Sequence, residues 1–136
     1  MIGYCRPRVI NVSDTEVVLS IPLNRRTRNH VGSMYIGAMT VGVDFVTGLT
    51  AMISIKKSKK NIVLIFKDLK SSFIKRAEGE TFFTCNHTKE IEAAVKKVVD
   101  SKQRVNIEVP IIATVPEKFG DEPVAEFTIT LSMKEK

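Results

Sequence analysis

Two long segments near the end of the chain alternate between apolar and polar positions. Val105, Ile107, Val109, Ile111, Ala113 and Val115 are apolar at every second position, and the chain then reaches Pro116. Ala125, Phe127, Ile129, Leu131 and Met133 repeat the pattern against Glu126, Thr128, Thr130 and Ser132. A period of two sends alternate side chains to opposite faces, so both segments read as strands with one buried side. Val17, Leu19, Ile21 and Leu23 form a shorter strand of the same kind, with Pro22 near its end or on an edge because proline has no N–H for a ladder. Val9 to Val12 is a short strand before it, and Ser13-Asp14-Thr15 supplies the turn between them. Asn61 to Phe66 is a continuous apolar run that passes into residues 67–74 as one longer, bent strand. Ala77-Glu78-Gly79-Glu80 reads as a turn, Thr81 to Cys85 as a strand with Phe82 and Phe83 on opposite faces, and Lys118 to Pro123 as a turn.

The period changes twice. From Thr88 to about Lys102, Ile91, Ala94, Val95, Val98 and Val99 fall at the spacing of an amphipathic surface helix, with Lys89, Glu92, Lys96, Lys97 and Asp100 on the opposite side. From Val31 to Ile55 the only charge is Asp44, and apolar residues cover most directions of a helical projection. That predicts a helix enclosed on nearly all sides, with free backbone amides in a first turn that contains Gly32 and Ser33. Ser33, Gly37, Thr40, Asp44 and Thr47 share one narrow polar stripe along it. Its length and basic flanks would suit a membrane span. A central Asp costs about 2.5–3.5 kcal/mol on insertion scales, however, and the glycines and threonines dilute the apolar content, so a core helix is the expectation and a membrane span is not.

The 136 residues suit one domain, 1–136, and 43% hydrophobic with 26% charged residues is a globular composition. The net charge of +6 suits anionic partners. Much of the excess lies in Arg25-Arg26-Thr27-Arg28 and Lys56-Lys57-Ser58-Lys59-Lys60, which flank the apolar helix as solvated loops or as phosphate-binding groups. Aromatic residues are not interleaved with these runs as a base-stacking platform requires, so nucleic acid is not an expected partner. Cys5 and Cys85 have no metal-ligand spacing, no His/Cys/Asp cluster suggests a metal site, and no metal is expected. The opening MIGYCRPRV lacks the apolar run of a signal peptide, which makes the cytoplasm the expected location.

The order is strand, strand, buried helix, strand, strand, outer helix, strand, strand, which suggests an antiparallel sheet curled about the apolar helix. The segments Asn24 to Asp44 (with RTRNHVGSMYIGAMTVGVD), Phe66 to Gly79 and Pro123 to Leu131 carry a resemblance that extends over nearly the whole chain. The chain resembles hotdog-fold proteins of the phenylacetyl-CoA-thioesterase-like group, within a poorly characterised branch. The resemblance implies an α+β hotdog fold, an antiparallel sheet wrapped around a long central helix, here with one extra outer helix at 88–102. It also implies a homodimer or homotetramer, because acyl sites in this fold usually lie between subunits.

The implied activity is hydrolysis of an acyl-CoA or acyl-carrier-protein thioester, with coenzyme A as part of the substrate and no other cofactor. In that group an Asn precedes a His-Gly-Gly turn, a turn amide polarises the carbonyl, and a helical carboxylate acts as base or nucleophile. Asn24 stands six residues before His30, and Val31 replaces one glycine of the turn. The group's carboxylate position falls on Met39, and the only helical carboxylate is Asp44, fourteen residues after His30. Asp44 is thus the candidate base or nucleophile, Asn24 and His30 the positioning groups, and the Gly32 amide the oxyanion donor. Ser33, Thr40 and Thr47 complete the polar face on the substrate side, the threonines holding the carboxylate, with Lys75 and Arg76 placed to meet coenzyme A phosphates. A non-catalytic acyl or acyl-CoA binder is the alternative, favoured by the missing glycine and the displaced carboxylate. The His-to-carboxylate gap also resembles hotdog hydroxyacyl dehydratases, although their proline-rich wording between the two residues is missing.

Overall fold

The computed structural model describes residues 2–136. In chain order the elements are α1 (Ile2–Cys5), β1 (Arg8–Val12), β2 (Val17–Ile21), α2 (Ile36–Ser58), β3 (Ile62–Phe73), β4 (Thr81–Cys85), α3 (Thr88–Ser101), β5 (Val105–Thr114), α4 (Pro116–Phe119) and β6 (Pro123–Glu135). The six strands form one sheet in the order β1-β2-β4-β5-β6-β3, every pair antiparallel. The long alternating strands β5 and β6 pair with each other, Val109 opposite Ile129 and Ile111 opposite Phe127. These four side chains are buried, so the predicted apolar face of each strand is the one that meets the core.

α2 packs on this sheet against β2, β4 and β5, and α3 packs on α2. A long apolar helix held by an antiparallel sheet, with one extra helix outside it, is the hotdog architecture. By length and composition alone α2 could cross a bilayer, but half of its apolar window is buried within the fold, where it serves as the core helix. Pro110 sits inside β5 without breaking the ladder. It pairs with Thr128 of β6 on one side, and on the other β4 reaches only Ile112 to Thr114, so Pro110 lies where β5 has a single neighbour.

The start, end and enclosure of α2 and the turn after β5 differ from the sequence-based expectation, whereas the bent strand agrees with it. α2 starts at Ile36 rather than near Val31, because residues 29–33 close into a turn and Met34 bridges back to Arg28. It runs on through the first lysines to Ser58 and ends where Lys59 adopts a left-handed conformation. It is also less enclosed than expected, since Ile36 is 64% and Met52 53% exposed. The turn after β5 contains a short helix, α4, started by Pro116 at its first position. The bent strand appears as one element, β3, with an irregularity between Phe66 and Asp68 in its pairing with β6.

Candidate active-site cavity

The turn before α2 is built by Asn29. Its Oδ1 accepts the amides of Val31 and Ser33, both at 3.0 Å, and its own amide donates to the Ser33 carbonyl. Gly32 takes φ +81°, a backbone conformation that side chains other than glycine rarely adopt. The chain is then tied down on both sides. The Met34 amide donates to the Ala77 carbonyl and the Tyr35 amide to the Thr27 carbonyl. Helix α2 therefore begins at a fixed point, and its N-terminus has no side-chain cap. Its first N–H groups lack carbonyl partners within the helix and carry the positive end of its dipole.

A cavity of about 490 Å³ opens at this point, between the Asn29 turn, the first turn of α2 and the segment that follows β3. Its apolar wall includes Met34, Ile36, Met39, Phe73 and Ile74. Asn29 lines it too, and because its Oδ1 is committed to the turn, the group left to present is its NH₂. Ser33 lines it as well, only 4% exposed, and its hydroxyl has no hydrogen-bond partner. A buried hydroxyl without a partner costs roughly 1–3 kcal/mol, so an orphan in a cavity wall is a place where a ligand atom would be held. At the rim, Lys75 is paired with Glu122 and lies over the Phe119 ring. Arg76 is exposed and forms no ion pair among the described residues, which leaves it as the rim's free cation.

Asp44 lines a second opening, of about 280 Å³, with Thr40, Phe66, Leu69 and Ile129. It is half-buried, and burial pushes its carboxyl above the ordinary carboxylate range. A shifted carboxyl in a cleft fits a proton-transfer role. Ile36, Thr40 and Asp44 lie within about 80° of helix arc, and Asp44 is about 12 Å further along the axis than Ile36. Both openings thus face the same side of α2, and both have β3 or its extension as their other wall.

The predicted site residues divide accordingly. Ser33, Lys75 and Arg76 meet at the larger cavity, and Asp44 and Thr40 at the smaller. Thr40 and Thr47 do not hold the Asp44 carboxylate: their hydroxyls donate to the Ile36 and Val43 carbonyls one turn back, at 2.9 and 2.7 Å. Gly32 is not a free donor, because its amide donates to the Asn29 carbonyl at 3.2 Å. Asn24 and His30 are exposed and line neither opening. The Asn24 side chain accepts the Arg26 amide at 2.9 Å and so closes the preceding loop. Asn29 escaped sequence reasoning, although an Asn followed closely by a glycine before a helix is a recognisable turn signal. Among the described residues no cluster of three His, Cys, Asp or Glu side chains could hold a metal.

Comparison with known proteins places this architecture in company. PA5026 of Pseudomonas aeruginosa, a protein of unknown function called a probable thioesterase, superposes with a TM-score of 0.82 at 18% identity, over 98% of this chain and 86% of that one. A mutant of thioesterase PA1618 from the same organism gives 0.71 at 10% identity over 98% and 85% of the two chains. Thioesterase HI1161 of Haemophilus influenzae gives 0.71 at 8% identity over 98% and 82%. These likenesses fix the hotdog fold. No curated protein matches the chain in sequence. The profile of one family, described as a domain of unknown function (DUF4442), matches residues 2–133, and the chain belongs to that family.

Proposed function

We propose that the protein hydrolyses an acyl thioester, with an acyl-CoA as substrate, to the free acid and a thiol. The observation that carries this reading is the cavity at the start of α2, where the buried, unpartnered Ser33 hydroxyl meets the helix N-terminus. A thioester carbonyl placed there receives the Ser33 hydroxyl and the Ile36 amide as donors, and both strengthen as negative charge develops on its oxygen. The acyl chain lies against Met34, Met39 and Phe73, and Arg76 meets the phosphates of the coenzyme. Asp44 serves as the base. It takes a proton from water as the water oxygen attacks the carbonyl carbon. When the C–S bond breaks, the proton passes to the leaving thiolate.

Asp44 lies too far along its own helix to reach a carbonyl held at Ile36, and a second copy removes the difficulty. β3 is an edge strand with no neighbour beyond it. An antiparallel pairing of two β3 strands about a two-fold axis between Leu69 and Phe73 sets one copy's Phe73–Arg76 segment beside the other copy's Phe66–Leu69 segment. The larger cavity of each copy then adjoins the smaller cavity of the other, and Asp44 completes its partner's site.

The test is thiol release from short, medium, long and aromatic acyl-CoAs. Wild type turns over at least one of them, Ser33→Ala lowers kcat by about 10²-fold, the loss typical of a single oxyanion donor, and Asp44→Asn abolishes turnover. Unchanged turnover in both variants would move the chemistry elsewhere. The second reading, an acyl-CoA binder without turnover, is favoured by Met39, which lines the larger cavity where the resembled group carries a carboxylate. Saturable acyl-CoA binding with no thiol release would establish it.

A further inference from the structure

We infer that the cleft between the C-terminal half of α2 and the adjoining side of α3 is a second ligand site, built for a monoanionic amphiphile, namely a short or medium-chain fatty carboxylate. The cleft has a volume of about 390 Å³. It begins some 27 Å along α2 from the first cavity, by the rise of the helix, and shares no lining residue with it.

Ser54 identifies it. Thr40, Thr47 and Thr50 of the same helix each donate their hydroxyl to the carbonyl four residues back. Ser54 does not: it is 4% exposed, and its Oγ has no partner. Ser58, one turn on, has its hydroxyl committed to the Ile55 carbonyl and accepts the Lys60 amide. Ser54 therefore offers the one unengaged hydroxyl of the wall, buried where a missing acceptor is costly.

The charges define the rest of the ligand. Lys57 stands on the same face of α2 as Ser54, and its ammonium lies 3.9 Å from Glu92 of α3. Lys96, one turn beyond Glu92, lines the cleft without an ion-pair partner among the described residues. Two ammoniums and one carboxylate leave a net single positive charge. Lys56, Lys59 and Lys60 surround the carbonyl end of the helix and offset its negative dipole. One excess charge suits a monoanion, and Glu92 opposes a dianion such as phosphate. Val95 and Val99 supply the apolar wall along α3. A carboxylate held between the Ser54 hydroxyl and the lysine ammoniums lays its aliphatic tail on these valines.

The test is a calorimetric titration of the full-length protein with sodium octanoate, with carbonyl-labelled octanoate observed by NMR. Wild type binds it saturably, Lys96→Glu weakens binding by at least about tenfold, as loss of a charge-assisted contact does, and Ser54→Ala does likewise. Ser54→Ala also raises the melting temperature of the ligand-free protein, since it removes an orphan hydroxyl, and a folding defect therefore cannot account for its weaker binding. Binding unchanged in both variants would overturn the assignment. So would binding lost in Ser33→Ala, which would place octanoate in the first cavity. Equal binding of inorganic phosphate would reduce the site to a cationic patch, and equal binding of octanol would remove the carboxylate from the recognition.

Discussion

A carbon atom added at Gly42 would lie 2.4 Å from the ring of Phe83, which is itself fully buried in β4. Glycine is needed here so that α2 can approach the sheet, and an enclosed ring has no room to retreat. Gly42→Ala is expected to destabilise the protein by about 1–3 kcal/mol despite the better helix propensity of alanine, measured as a lower urea midpoint. Asp44 gives a different single-residue effect. Its carboxyl holds a proton more tightly folded than unfolded, because burial disfavours the charge. Stability from this group is therefore fully present below the ordinary carboxylate range and falls as pH rises through the raised folded-state value. Asp44→Asn lacks that loss, so its stability relative to wild type should rise as the pH climbs above the ordinary carboxylate range, and a flat difference in urea midpoints would refute the assignment. If Asp44 is the base, the acidic limb of the turnover profile lies above the ordinary carboxylate range, because only the ionised form accepts a proton.

At the scale of elements, α3 enters the main core through Ile91, and its second half is held by a small separate cluster. Val98 is fully buried and packs with Val95, Ile55, Ile62 and Met133. Val98→Ala should cost roughly 1.5–3 kcal/mol in chemical denaturation, the value of two buried methyl groups plus the space they leave. Strand β3 is the opposite case, long and paired on one side only. Val63 and Ile65 are about half exposed on it, as are Phe73 and Ile74 at its far end. Lys67, Asp68 and Lys70 and the irregularity at Phe66/Asp68 interrupt the middle of this edge, and the apolar stretches on either side of them leave it open to a pairing of restricted register.

For the whole molecule, that edge bears on whether one chain is a complete unit. Ser71→Lys sets two like charges opposite each other at the proposed two-fold axis, and sedimentation should show wild-type dimers and variant monomers with the same circular dichroism. The variant should also lose thioesterase turnover, since each proposed site borrows Asp44 from its partner. A monomeric wild type with full turnover would exclude the shared site.

Much of the fold was legible in the sequence. Period-two alternation marks β5 and β6, a helical period marks α3, and the uncharged run apart from Asp44 marks the core helix, because each pattern records locally which side chains must leave water. The start of α2 was less legible, since the apolar pattern continues through Val31 and Met34 while the Asn29 side chain takes the local amides into a turn. The site was least legible. Thr40 and Thr47 lie on the predicted stripe, but nothing local says that their hydroxyls return to the helix backbone. Asn29, Ser33 and Arg76 come together only because the Met34 amide reaches the Ala77 carbonyl across more than forty residues of chain. The sequence by itself determined the elements and their buried faces, since periodicity is a property of neighbours along the chain. Only the tertiary structure decided which polar groups converge and which remain unpartnered, because those depend on contacts between segments that the local pattern does not encode.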